Sequence, residues 1–75
     1  IESILAGEDL VVYPNPVGNV LNINQKVDID VIDSNGRIIV SKTNTNAIDA
    51  SLWPPGMYMV RIVWNGRVVV KRVIK

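Results

Sequence analysis

The 75-residue sequence contains no cysteine, no histidine and no phenylalanine. Without thiols there is neither a disulfide nor a thiolate-bound metal to staple the chain, so an apolar core has to hold it together. The same lack leaves the compartment open, because exported domains need not carry disulfides. The commonest general base, the thiolate nucleophile and the usual zinc ligands are all missing. Ser3, Ser34, Ser41 and Ser51 have no base partner along the chain, so no catalytic residues, no metal site and no cofactor are expected. No apolar run approaches the roughly 20 residues that a membrane-spanning helix needs. The opening Ile1-Glu2-Ser3 has no Met and no basic stretch leading into an apolar one, so it does not read as a signal peptide. A processed or excised piece with something larger ahead of it is the expectation. Residues 1–8 are then a linker, and residues 9–75 are the domain.

Leucine is also scarce. Four leucines stand against 23 valines and isoleucines. β-Branched side chains suit a pleated, half-buried surface and are mediocre in helices, so the composition reads as all-β. Acid is missing from one end. Residues 61–75 hold Arg61, Arg67, Lys71, Arg72 and Lys75 and no carboxylate, whereas all seven acids lie in residues 1–60 with only Lys26, Arg37 and Lys42.

Along the chain, short strands are expected at residues 10–13, 20–24, 27–31, 37–41, 47–50, 57–64 and 67–74. In Val27-Asp28-Ile29-Asp30-Val31 the period of two is cleanest, with the aspartates pointing to water. The core set read from this alternation is Leu21, Ile23, Ile29, Val31, Tyr58, Val60 and Ile62. Pro14-Asn15-Pro16 stops the first strand in a rigid extended corner. Asn35-Gly36 and Asn65-Gly66 between apolar runs signal hairpins. Residues 42–46 read as a polar loop, and Pro54-Pro55-Gly56 as a type II turn. For the last strand, Val68, Val69 and Val70 leave open which parity faces the core. About seven short antiparallel strands with regular turn signals describe a β-sandwich or small barrel.

Several chemical features have a structural reading beside a functional one. Asp28, Asp30 and Asp33 read as solvated strand and turn charges more readily than as a calcium loop. None of the five glycines makes a phosphate-binding spacing ahead of a helix. Trp53 and Trp64 could stack on a sugar, but both lie beside turns, which favours packing. The terminal bases alternate with valines, as on a solvated sheet face, and give no case for nucleic acid or for membrane insertion. That basic end is either a gatekeeper against edge-to-edge aggregation or an address that a receptor reads.

The landmarks, taken in order, resemble a known family. They are Val12-Tyr13-Pro14-Asn15-Pro16, the alternation at residues 20–23, Val31-Ile32-Asp33-Ser34-Asn35-Gly36-Arg37 and Ile48-Asp49-Ala50-Ser51-Leu52. Gly56-Met57-Tyr58-Met59-Val60-Arg61-Ile62 and Lys71-Arg72-Val73-Ile74-Lys75 complete the set. Together they resemble the type A C-terminal sorting domain of the type IX secretion system, over about residues 10–75. Trp53-Pro54-Pro55 is a bulkier lead into the following turn than is usual there.

The resemblance implies an immunoglobulin-like β-sandwich at the end of a cargo protein. The cargo crosses the periplasm, is recognised by translocon components, and ends at the outer-membrane surface or outside the cell. A sortase-like signal peptidase then cleaves at or before residues 1–8. The resemblance assigns Lys71, Arg72, Val73, Ile74 and Lys75 to the recognised signal. Tyr13, Pro14, Asn15, Pro16, Gly36, Gly56 and Tyr58 take architectural roles. An exposed terminal strand can add to a partner's sheet, with charges giving orientation. The exposed edges also suggest a strand-paired or swapped homodimer. The alternative function is a carbohydrate- or protein-binding sandwich module of a secreted enzyme.

Overall fold

In a computed structural model that describes residues 10–75, five strands and no helix are present among the described residues. The linker expected over residues 1–8 lies outside them. The strands are β1 (Val12–Tyr13), β2 (Val20–Ile32), β3 (Ile38–Asp49), β4 (Met57–Trp64) and β5 (Arg67–Ile74). All pairings are antiparallel. β2 is the spine: β3 runs along one edge, and the other edge takes β1 beside residues 22–23 and β4 beside residues 28–32. β5 pairs with β4. The sheet then curls until the chain just past β1 meets β5, where the Val17 amide donates to the Ile74 carbonyl at 2.7 Å.

The sheet wraps one aliphatic core. Leu21, Ile23, Val27, Ile29 and Val31 from β2 meet Ile48, Tyr58, Val60, Ile62 and Val73. Every core residue expected from the alternation is buried. Each fully buried side chain of this size contributes about 1.5–3 kcal/mol of burial free energy.

Two pairs of expected strands are fused. Residues 20–24 and 27–31 form one strand, and so do residues 37–41 and 47–50 together with the expected polar loop at 42–46. Bulges make this possible. β2 advances from Asn22 to Val27 while β3 retreats only from Ala47 to Thr45. A second irregularity lies between the Val27 and Ile29 pairs, where Asn44 takes φ 51°. Its amide is held by the Asp28 carboxylate at 3.0 Å, so a polar stretch stays in the ladder. A bulge of this kind bends the strand and strengthens its twist. At the other extreme, the first expected strand shrinks to Val12–Tyr13, followed by cis bonds at Tyr13-Pro14 and Asn15-Pro16.

The turns also differ from expectation. Asn65-Gly66 makes a two-residue hairpin with φ 53° and 74°, the pattern of a type I′ turn. Asn35-Gly36 does not. Gly36 donates to the Asp33 carbonyl and Asp33 to the Arg37 carbonyl, with positive φ at Gly36 only. That is a three-residue loop, closed by a left-handed glycine. At Pro54-Pro55-Gly56 the chain bends, and Gly56 has φ 150°, away from the roughly 80° of a type II turn.

Candidate recognition site along strand β5

The type I′ turn settles the register that the valine run left open. Trp64 pairs with Arg67, which places Val69 opposite Ile62, Lys71 opposite Val60 and Val73 opposite Tyr58. Val69, Lys71 and Val73 therefore face inward. Val68, Val70 and Ile74 face outward, 57%, 51% and 53% exposed.

Beyond β5 the ladder continues for one more step. The amides of Gly56 and Lys75 donate to each other's carbonyls, at 3.1 and 2.8 Å. Hydrogen-bonded and non-bonded pairs alternate along an antiparallel ladder. Residues 67, 69, 71, 73 and 75 therefore bond toward β4, while the amides and carbonyls of Val68, Val70, Arg72 and Ile74 point to the outer edge. At Ile74 that edge is closed: its amide donates to the Asn15 side-chain oxygen at 3.0 Å, and its carbonyl accepts from Val17. At Val68, Val70 and Arg72 it is open among the described residues.

Lys75 is anchored a second time. Its ammonium donates to the Ala50 carbonyl, which also accepts from the Trp53 amide. The Ser51 amide, then the Ser51 hydroxyl and, against an opposing burial effect, the nearby Lys75 charge hold the Asp49 carboxyl below the ordinary aspartate value. Tyr58 supports this end of the molecule from below: its hydroxyl donates to the Pro54 carbonyl, and its ring packs at 4.9 Å from Trp53, tilted by 40°.

The five residues assigned to the signal thus have unequal exposure. Val73 is in the core, Lys71 and Lys75 are half-buried, and Arg72 and Ile74 are exposed. Asn15 does more than shape the first corner, because it reaches 59 residues ahead to the last strand. Val17 and Ala50 were not picked out by residue type, since they act through main-chain atoms that carry no sequence signal. A cleft remains between residues 10–12 and Lys71, Arg72 and Val73, with Asn15 at one end.

The other candidate chemistry is committed elsewhere. Asp30 accepts from Ser41 and pairs with Arg61 at 3.1 Å, leaving it half-buried, and Asp28 caps the Asn44 amide. Asp33 takes the amides of Arg37 and Asn35 within its own turn. Trp53 is only 7% exposed and is stacked on Tyr58, so it offers no face to a sugar.

A family model described as the secretion system C-terminal sorting domain matches residues 11–75. No curated protein matches the chain.

Proposed function

The chain belongs to the type IX secretion C-terminal sorting domain family, and from that premise we propose that β5 and the residue after it present the signal that the export machinery reads. The family supplies the coarser statement: this is a sorting signal that sends a cargo protein to the cell surface or beyond, and the family is not a kind of enzyme. The observation that supports the finer reading is an acid-free basic strand held rigidly at its end. Asn15 and Val17 grip Ile74 from one side while Gly56 grips Lys75 from the other. Such anchoring lowers the entropic cost of being recognised.

On this reading residues 9–75 are the signal unit and residues 1–8 the linker, within or ahead of which a sortase-like peptidase cleaves after periplasmic transit. The domain itself catalyses nothing. On the same reading, β2 and β3, divided at their bulges, would each supply two segments to an immunoglobulin-like sandwich. A homodimer would form along the outer edge of β3. Pairing two copies of β5 would bring Arg67, Lys71 and Arg72 together from both chains with no acid between them.

A direct test fuses residues 1–75 to a reporter bearing an export signal, in a host that has this secretion system. Lys71→Glu with Arg72→Glu reverses charge at an exposed and a half-exposed position, while Lys75 keeps its bond to Ala50. We expect a folded variant whose cargo stalls in the periplasm. Cargo that reaches the surface as efficiently as the parent would show that these charges are not read.

A further inference from the structure

We propose that the open edge of β5 at Val68, Val70 and Arg72 is a strand-addition site for an extended acidic segment of another protein. This deepens the export reading by naming the partner's chemistry. The binding measured below stands or falls separately from secretion.

Three observations converge on it. The first is main-chain valence. Three successive outward-facing residues present amides and carbonyls in one line that are unpaired among the described residues. Unpaired strand edges are templates for another strand, and natural domains normally blunt or cover them. Here Asn15 and Val17 cover only Ile74, so among the described residues the edge is closed at one end and open for the rest of its length.

The second is charge. Arg61 is paired with Asp30, and the Lys75 ammonium is bonded to Ala50. Arg67, Lys71 and Arg72 have no anionic partner among the described residues. They flank the open edge on both of its faces, with Arg72 beside the exposed valines and Arg67 and Lys71 on the opposite side. An incoming strand therefore meets cations whichever face its side chains take. Carboxylates opposite them are favoured, and lysines or arginines there are repelled.

The third is space. The Lys71–Val73 stretch of this edge lines the cleft whose far wall is residues 10–12, and Asn15 marks where an added strand must stop. The apolar contacts on offer are Val68 and Val70, each about half exposed, so the occupant alternates acidic and aliphatic residues.

The experiment uses the 75-residue chain and an end-blocked seven-residue peptide of alternating Glu and Val, followed by amide exchange and by chemical-shift titration. Before peptide is added, the amides of Val68, Val70 and Arg72 should exchange fast; protection there in the free protein would mean that the chain itself or a second copy already fills the edge, and would overturn the proposal. With peptide, these three amides should become protected, and the matching Lys-Val peptide should bind at least about tenfold more weakly. Val70→Pro removes an amide that points outward and is not used in the β4 ladder, a position that an edge strand tolerates. It should weaken peptide binding about tenfold while the ladder amides of Val69 and Lys71 stay protected. Should that variant fail to fold, a peptide N-methylated at alternate residues makes the same test on the intact protein. Equal binding by the basic or N-methylated peptide, or protection on β3 in place of β5, would refute the assignment.

Discussion

The β2–β3 and β4–β5 hairpins share an Asn-Gly signal yet are built differently. β4 and β5 have eight residues each and one unbroken register. β2 and β3 have thirteen and twelve and three register shifts. The dipeptide alone does not decide the turn. At residues 65–66 the apolar strands run right up to it, and a two-residue type I′ turn matches their twist. At residues 35–36, Asp33 takes the Asn35 and Arg37 amides on its own carboxylate and so stabilises a wider loop. A local side-chain acceptor has competed with the ladder and won. The regular hairpin carries the basic strand β5; the irregular one carries the bulges.

The largest test removes the support of the regular hairpin. Tyr58→Ala deletes the ring that packs on Trp53 and the hydroxyl bonded to Pro54. We expect a loss of about 3–5 kcal/mol, enough to unfold much of a small domain, read from thermal melting by circular dichroism. A loss below about 1 kcal/mol would mean that β4–β5 does not depend on this anchor.

Next is the clasp. Asn15→Ala leaves the Ile74 amide without its acceptor and should cost about 1 kcal/mol. The change should appear as faster exchange at the Ile74 amide, with the Val69 and Lys71 amides little affected. Uniform loss of protection along β5 would show instead that the clasp holds the whole strand.

The two asparagines of the turns sharpen the comparison directly. Asn65 has φ 53°, and Asn35 is not among the positive-φ residues. Asn65→Ala should cost about 1 kcal/mol and Asn35→Ala markedly less, because only the first forces a β-carbon into the left-handed region. Equal urea midpoint shifts for the two variants would contradict the turn assignments.

The smallest effect is acid sensitivity. The Asp33 carboxyl is held below the ordinary aspartate value, chiefly by the Arg37 amide and, against an opposing burial effect, by the Asn35 amide and the Arg37 charge. Asp49 is lowered as well. A group whose folded value is depressed adds stability above its unfolded value of about 3.9 and loses it as pH falls through the folded value. Stability should therefore fall below about pH 4, and Asp33→Asn should flatten part of that fall. An unchanged pH profile in that variant would remove Asp33 as a contributor to the irregular turn.

How much was legible in the sequence follows the same division. β4 and β5 were readable to their end residues, because a period of two, a two-residue turn and flanking breakers agree there. The core face of β2 was readable too, since Leu21, Ile23, Val27, Ile29 and Val31 keep one parity across its bulge. The continuity of β2 and β3 was not. A polar stretch such as residues 42–46 joins a ladder only because Asp28 on the neighbouring strand holds the Asn44 amide, and a contact between distant residues leaves no local pattern. At the candidate site, the basic residues were visible as a charge asymmetry. Their division into buried, half-buried and exposed was not, because it rests on a register that three consecutive valines cannot specify. Asn15 was visible as a corner residue, but its reach to Ile74 was not.

That reach has a consequence for timing. A ribosome makes Asn15 and Val17 early and Ile74 and Lys75 last in this stretch, so the clasp cannot close while the end of β5 is still unmade. Contacts between such remote segments form late, because a long loop must first be closed. The corner therefore assembles only after residue 74 has been made: a chain that stops short of Ile74 leaves Asn15 and Val17 without their partner.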